Sequence, residues 1–276
     1  MNATDTSPTL NEVAQALWRK GESRVAPQLL LKAGAAFPPI FIAHGLGDTV
    51  LNLYSLTSRL RVAQAVYGMQ ARGIDLVETP LDRVEDLAEY HLAGIRQLQS
   101  TGPYILIGYS FGGLIAWEIA QRLLKSGQEV GLLAMLDSYP AVEFLDFRLR
   151  ARLFARHAAT RAFSALRTNR PGEDKTIAAD PIPLDETQRR AIDLVKESER
   201  RAWKSYRPRY YPGKIRFVRP EGTSAFPKDV HAVWAHLANG FELETVGGNH
   251  LGMITSHVDS VAEVVSRYVE EALNKR

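Results

Sequence analysis

Short apolar runs alternate with amphipathic stretches along most of this chain. A run that is apolar throughout is typical of a strand covered on both faces, whereas apolar residues spaced three and four apart are typical of a helix that packs on a sheet. We expect the first of these runs, residues 29–31, to form an edge strand. The apolar runs predict strands at residues 29–31, 39–44, 65–69, 104–107, 130–136, 214–219 and 241–246.

Helical patterns fill most of the segments between these runs. Strands and helices that alternate in this way form parallel sheets joined by helical crossovers. The pattern therefore predicts an α/β fold with a mostly parallel central sheet and helices on both faces. The helices are predicted at residues 13–18, 50–60, 84–98, 111–125, 143–168, 185–206, 229–238 and 258–272.

The alternation is interrupted between about residues 141 and 210. This stretch contains two or three amphipathic helical stretches, near 143–168 and 185–206, and no apolar run suited to a strand. An insertion of this length in an α/β domain is typical of a lid over an active site. We therefore expect a polar leader at residues 1–26 and one domain at 27–276, with a helical lid insertion at about 141–210.

One turn carries the strongest chemical signal. The apolar run 104–107 ends in Gly108-Tyr-Ser-Phe-Gly112, and a helical pattern follows directly. A Gly-x-Ser-x-Gly sequence between a strand and a helix holds the serine hydroxyl on a sharp, exposed turn at the positive end of the helix dipole. Ser110 is therefore the predicted nucleophile.

A serine nucleophile needs a neighbouring base that an acid orients. On this kind of fold the order along the chain is serine, acid, histidine. His250 fits this order because it lies in a glycine-rich turn after the last predicted strand. The other histidines lie in predicted helices, in the lid, at a helix start or, for His44, before the serine.

Three residues are candidates for the acid. Asp137 follows the strand 130–136, at the edge of the sheet where catalytic groups gather in α/β folds. Glu221 follows the strand 214–219, where many hydrolases of this architecture have their acid. Asp229 is the third candidate. The pattern of residues alone leaves this choice open.

Composition narrows the chemistry and the compartment. The chain of 276 residues has no cysteine, which excludes a thiol nucleophile, a disulfide and a thiolate metal site. No apolar run is long enough to span a bilayer, and the polar N-terminus lacks the profile of a secretory signal. We expect a cytoplasmic enzyme, although the absence of cysteine also fits a secreted protein.

The formal net charge is +3, and the basic excess is local. Seven arginines between residues 148 and 170 account for much of this excess. Such a segment is either a solvated helix face or a docking surface for an acidic protein or a phosphate-bearing group. Nucleic acid is not expected as a partner, because no recognised binding motif accompanies the arginines. This arginine segment contains Arg148, Arg150, Arg152, Arg156, Arg161, Arg167 and Arg170.

Five segments together resemble the thioesterase domains that end nonribosomal peptide synthetases and polyketide synthases. The resemblance covers roughly residues 38–275. It implies an α/β-hydrolase fold in which Ser110 is the nucleophile, Asp137 the acid and His250 the base. The segments are Phe41-Ile-Ala-His-Gly-Leu-Gly47, Tyr67-Gly-Met-Gln-Ala-Arg-Gly73, Gly102-Pro-Tyr-Ile-Leu-Ile-Gly-Tyr-Ser-Phe-Gly-Gly113, Leu136-Asp-Ser138 and Gly248-Asn-His250.

The resemblance also implies an oxyanion hole formed by the backbone N–H groups of Leu46 and Phe111. The turn 45–48 on its own already suggests Leu46 as such a donor. Asn249 departs from the family, because an aspartate often precedes the histidine there. The chain also has no carrier or synthetase modules, so we expect a free-standing enzyme or an excised domain.

The expected reaction is the release of an acyl or peptidyl chain from the phosphopantetheine thioester of a carrier protein. The carrier is the expected partner, and no metal ion or bound cofactor is expected. Tyr109, Tyr139 and Met253 are candidates to line an acyl channel. Two alternatives stay open: a carboxylesterase for small oxygen esters, and a non-catalytic receptor or scaffold with the same fold.

Overall fold

One seven-stranded sheet forms the centre of the structure. The computed structural model describes residues 6–18, 25–141, 182–222 and 229–274. The strands in chain order are β1 (Gln28–Lys32), β2 (Ala36–Ala43), β3 (Gln64–Met69), β4 (Tyr104–Tyr109), β5 (Val130–Leu136), β6 (Tyr211–Pro220) and β7 (Ala238–Val246).

The strands lie in the order β1-β3-β2-β4-β5-β6-β7. The edge strand β1 runs antiparallel to β3, and the other five pairings are parallel. The predicted mostly parallel α/β sheet is therefore confirmed. Because parallel strands end on the same side, the loops after β2, β4, β5, β6 and β7 all leave from one edge of the sheet.

Helices cover both faces of this sheet, as predicted. Short 3-10 turns at Val50–Leu53 and Leu251–Ile254 precede the second and the last of them. None of the helices in the described ranges is both long enough and apolar enough to cross a bilayer. The α-helices are α1 (Leu10–Leu17), α2 (Tyr54–Arg59), α3 (Val84–Leu98), α4 (Gly112–Lys125), α5 (Glu186–Ser205), α6 (Val230–Trp234) and α7 (Val258–Leu273).

The two faces of the sheet have separate apolar cores. Side chains of β4 alternate between them: Ile105 and Ile107 belong to the first core, and Tyr104 and Leu106 to the second. Helices α1, α2 and α7 pack into the first core, whereas α3, α4 and α6 pack into the second. Both faces of β4 are covered, which explains why its sequence is apolar throughout.

Some predicted bounds were wrong. The helix predicted at 229–238 is the five-residue helix α6, and β7 begins at Ala238 instead of residue 241. Ala238 and Gly240 pair with β6, so hydrogen bonding to the neighbouring strand extends β7 beyond its apolar run. The helix predicted at 143–168 and the arginine segment lie outside the described residues.

Helix α5, which corresponds to the helix predicted at 185–206, passes from one core to the other. Ala191 and Val195, in its first half, belong to the first core. Ala202, near its end, belongs to the second core. Because the two cores lie on opposite faces of the sheet, the middle of α5 crosses an edge of the sheet.

A buried carboxylate fixes the end of α5 to α4. Glu118, in α4, accepts a hydrogen bond of 2.9 Å from the hydroxyl group of Tyr206, which directly follows α5. Glu118 also pairs with Arg122 at 3.0 Å and with Arg209 at 3.2 Å, so its buried charge is compensated. Burial and the charge of Glu118 raise the pKa of Tyr206, which keeps the hydroxyl group a donor.

We predict that Tyr206→Phe lowers the free energy of unfolding by about 1–3 kcal/mol, because the buried Oε2 atom of Glu118 loses its closest donor. Urea unfolding followed by circular dichroism measures this change. Tyr210→Phe is the matched control: Tyr210 is 56% exposed, and such a surface change should stay within about 0.5 kcal/mol. Equal effects of the two substitutions would contradict the anchoring role of Glu118.

Candidate functional site

Ser110 lies in a strained turn between β4 and α4. Its φ angle is 54°, in the left-handed region that residues other than glycine seldom adopt. Gly108 makes the turn possible, because a Cβ atom there would lie 2.3 Å from the carbonyl oxygen of Gly112. The Ser110 N–H donates to the carbonyl oxygen of Leu136 over 2.8 Å. The end of β5 therefore holds the strained residue in place.

Asp137 directly follows β5, and its φ angle is also positive, at 45°. Its N–H donates to the carbonyl oxygen of Val218 in β6 over 2.8 Å. The side chain is 1% exposed. One carboxylate oxygen, Oδ1, is buried with no hydrogen-bond partner within the described residues. The other oxygen, Oδ2, makes the contact that defines the site.

His250 follows β7 and joins both residues in one hydrogen-bonded chain. Asp137 Oδ2 lies 2.7 Å from the ring atom Nδ1, and Ser110 Oγ lies 3.1 Å from Nε2. Because a carboxylate accepts hydrogen bonds, we assign the ring proton to Nδ1, which leaves Nε2 to accept from the serine hydroxyl. This is the arrangement that activates a serine for attack on a carbonyl carbon.

Tyr109 contacts His250 in two ways. The two rings stack with their centroids 4.9 Å apart and their planes at 21°, and the tyrosine hydroxyl donates to the carbonyl oxygen of His250 over 2.9 Å. Burial, with the nearby charges of Asp48 and Asp137, raises the pKa of Tyr109, so the hydroxyl stays a donor. Its predicted place in an acyl channel stays a prediction.

The other two residues predicted to line a channel are buried as well. Tyr139, two residues after Asp137, packs edge-on against Phe217 with ring centroids 5.4 Å apart. Met253 is 0% exposed and belongs to the first core. These contacts are ordinary packing, and a role in substrate binding stays a prediction for both.

Glu221 and Asp229, the other two candidates for the acid, lie in different surroundings. Glu221 is exposed at the end of β6. The side chain of Asp229 caps α6 by accepting from the Ala232 N–H over 3.0 Å. The carboxylate that meets the Nδ1 atom of His250 belongs to Asp137.

The two predicted oxyanion donors come from loops that contact each other. Phe111 follows Ser110, and Leu46 lies in the loop after β2. The loops meet at Gly112, where a Cβ atom would lie 2.4 Å from the carbonyl oxygen of Ala43 at the end of β2. Within the described ranges, neither the Leu46 N–H nor the Phe111 N–H donates to a protein acceptor. Their role in an oxyanion hole stays a prediction.

One residue beside this loop was missed by the sequence analysis. Glu199, in the middle of α5, is 1% exposed, and its Oε2 atom accepts from the Gly47 N–H over 2.7 Å. The available signal is its position: it lies on the same helical face as Ala191, Val195 and Ala202, all of which are buried. A carboxylate on the apolar stripe of a helix is unusual, because burial disfavours its charged form.

In the described part of the chain, no group of three or more His, Asp or Glu side chains is arranged to hold a metal ion.

Comparison with known proteins identifies the family. The thioesterase domain family model matches residues 38–268. The chain belongs to this family. The resemblance noted in the sequence is therefore confirmed, and membership implies hydrolase activity.

Similar curated proteins are much longer synthetases. The nonribosomal peptide synthetase pngA of Aspergillus terreus is 31% identical over 147 residues, which cover 52% of this chain and 15% of that protein. The dimodular nonribosomal peptide synthase of Bacillus subtilis is 35% identical over 136 residues, which cover 49% of this chain and 6% of that protein. The thioesterase-domain chain thus matches a small part of each synthetase.

A solved structure with a similar fold is the NocB thioesterase domain, crystallised as a covalent complex with a fluorophosphonate nocardicin G analog. The TM-score is 0.65 at 19% identity, over 85% of this chain and 96% of that one. At this identity the likeness concerns the fold alone. It confirms the α/β-hydrolase fold that the sequence resemblance implied.

We predict that Gly108→Ala destabilises this thioesterase domain by about 3 kcal/mol, because the new Cβ would meet backbone atoms that have little room to move. The measurement is the free energy of unfolding in urea. Gly131→Ala, in β5, is the control: its Cβ would contact the side chain of Pro103 at 3.2 Å, and the change should stay within about 1 kcal/mol. A Gly108→Ala variant as stable as this control would contradict the tight turn.

Proposed function

We propose that this thioesterase domain releases an acyl or peptidyl chain from the phosphopantetheine thioester of a carrier protein, through an acyl-enzyme on Ser110. The observation that carries the proposal is the hydrogen-bonded chain from Ser110 Oγ through His250 to Asp137. Membership of the thioesterase family supports the substrate class. Similarity to nonribosomal peptide synthetases supports a carrier protein as the partner.

In the first step, Ser110 Oγ attacks the carbonyl carbon of the thioester. The hydroxyl proton passes to Nε2 of His250, and the buried carboxylate of Asp137 stabilises the imidazolium that forms. The carbonyl oxygen becomes an oxyanion that accepts hydrogen bonds from the N–H groups of Leu46 and Phe111. Loss of one donor of this kind typically costs about 10²–10³ in rate.

In the second step, the tetrahedral intermediate collapses and the carbon–sulfur bond breaks. The imidazolium of His250 gives its proton to the leaving phosphopantetheine thiolate, and the acyl group stays on Ser110. Water then attacks the ester carbonyl carbon and transfers a proton to Nε2, and the serine leaves with that proton. A hydroxyl or amine group of the bound chain takes the place of water when the product is cyclic.

We predict that Ser110→Ala lowers turnover of an acyl-carrier thioester by about 10⁶-fold and that Asp137→Ala lowers it by about 10⁴-fold, as in other serine triads. Glu221→Ala is the matched control, since Glu221 is exposed, and its turnover should stay near the wild-type value. Release of the free carrier thiol measures each rate. A large loss in Glu221→Ala with normal turnover in Asp137→Ala would assign the acid to Glu221 instead.

The substrate class is tested by intact-protein mass spectrometry with a panel of acyl-carrier thioesters and simple aryl esters. We expect an acyl adduct on the wild-type chain from the thioesters, hydrolysed with turnover, and no adduct on Ser110→Ala. A strong preference for aryl esters would instead favour a carboxylesterase. No adduct from either class would favour a non-catalytic receptor.

A further inference from the structure

Glu199 is a buried ionisable side chain that contacts the oxyanion loop, residues 45–48, and that the proposed reaction does not use. It lies where α5 passes from the first core to the second. Its Oε2 atom accepts from the Gly47 N–H over 2.7 Å. Its Oε1 atom is buried and has no hydrogen-bond partner in the described part of the chain.

This contact fixes the peptide next to the proposed oxyanion donor. The Gly47 N–H belongs to the peptide group between Leu46 and Gly47, so a hydrogen bond to it restrains ψ of Leu46. Gly47 has a φ angle of +70°, a conformation that glycine adopts freely and leaves easily. The side chain of Lys196 packs over Gly47, where a Cβ atom would lie 2.4 Å from its Cγ. Helix α5 thus supplies two contacts to this part of the loop.

One turn further along α5, Trp203 makes a second contact with the site. Its Nε1–H donates to the carbonyl oxygen of Tyr139 over 3.0 Å. Tyr139 lies two residues after Asp137. Glu199 and Trp203 therefore connect α5 to the loops on both sides of Ser110.

We propose that Glu199 is a positioning residue, which holds the oxyanion loop in the conformation that directs the Leu46 N–H toward the reacting carbonyl oxygen. The inference rests on the proposed function of Ser110, because an oxyanion forms only if the serine attacks. Glu199 acts through the loop and does not touch the substrate.

The charge on Glu199 matters as well as its contact. Burial raises the pKa of Glu199 to about 8. The hydrogen bond from the Gly47 N–H lowers it by a smaller amount, and the charge of Asp48 raises it by less still. Two other titratable groups lie against the oxyanion loop: Lys196 of α5, whose side chain packs on Gly47, and His44, whose ring contacts the carbonyl oxygen of Gly45. Burial lowers the pKa of His44.

Because the pKa of Glu199 is about 8, its neutral form predominates at pH 7. Above about pH 8 it becomes an anion in contact with the oxyanion loop. A negative charge at this position opposes the negative charge that develops on the reacting carbonyl oxygen.

The test compares three variants of the full chain. Glu199→Gln keeps an acceptor for the Gly47 N–H and removes the charge. Glu199→Ala removes both. Ser198→Ala is the matched control, because Ser198 is also buried on α5 but its Oγ pairs with Arg201 instead of the loop.

The first readout is amide hydrogen exchange of the peptide that contains residues 45–48, which requires no activity. Faster exchange is expected in Glu199→Ala, with wild-type exchange in Glu199→Gln and Ser198→Ala. Unchanged exchange in Glu199→Ala would overturn the inference. So would equal acceleration in Ser198→Ala, since that outcome reduces Glu199 to a general packing residue.

The second readout is kcat and KM of thioester hydrolysis between pH 6 and pH 10. At pH 7, Glu199→Ala should lose at least about tenfold in kcat with little change in KM, which is less than the 10²–10³ expected when an oxyanion donor is lost outright. Glu199→Gln should keep the wild-type kcat. The wild-type kcat should fall as the pH rises through about 8, and Glu199→Gln should lack this fall. The same alkaline fall in both proteins would overturn the electrostatic part.

The third readout is the thermal unfolding midpoint between about pH 4 and pH 9, a range that spans the unfolded and folded pKa values of Glu199. A carboxyl group whose pKa is raised on folding contributes stability below its unfolded pKa, near 4.5, and loses it as the pH rises through its folded pKa, near 8. The wild type should therefore lose stability relative to Glu199→Gln over this interval. A constant difference would contradict the buried titration. If the wild type hydrolyses no thioester, the proposed function fails, whereas the exchange and unfolding readouts still decide the role of Glu199.

Discussion

The imidazole of His250 is the group on which the proposed chemistry depends. Its two nitrogens contact Asp137 at 2.7 Å and Ser110 at 3.1 Å, although these residues are 113 and 140 positions away along the chain. A serine hydroxyl without this contact is a weak nucleophile. The structure therefore has to bring three distant loops to one point and hold them within hydrogen-bond distance.

The parallel sheet meets this requirement by extending its hydrogen bonding beyond the strands. The N–H groups of the first residues after β4, β5 and β6 each donate to a carbonyl oxygen of the next strand or its end, as Ser110 does to Leu136 and Asp137 to Val218. Ser110 and Asp137 both have positive φ angles. Such strained conformations persist where the surroundings over-determine them, and they are common at functional sites. Here the neighbouring strand supplies that constraint.

The loops of the site are held by these strands, and α5 constrains the same loops through its own contacts. It crosses from one apolar core to the other and contacts the loops after β2 and β5 through Glu199 and Trp203. Its end is fixed to α4 by Glu118 and Tyr206. The same segment that crosses the edge of the sheet thus also contacts the oxyanion loop.

The fold and the serine turn could be predicted from the sequence because they depend on local patterns. Apolar runs indicate the buried strands, and the Gly108-to-Gly112 pattern indicates a tight turn. The start of β7 could not be predicted, because Ala238 joins the strand through pairing with β6 and not through its own side chain. The residues alone also did not decide whether Asp137 or Glu221 is the acid, because each of them follows a strand.

Glu199 shows a further limit of sequence reasoning. Helical spacing indicates that it lies on the buried face of α5, but its partner, Gly47, is 152 residues away. Only the crossing of α5 over the edge of the sheet brings the two together. A contact between a side chain and a distant backbone N–H leaves no local pattern in the sequence.

The most direct test of the central claim is peptide mapping by mass spectrometry after reaction with a fluorophosphonate probe, for the wild type and for His250→Gln. The proposed mechanism predicts one adduct, on Ser110 of the wild type, and its near-complete loss in the variant because the hydroxyl no longer has a base. An adduct on another residue, or equal labelling of Ser110 in both proteins, would contradict it.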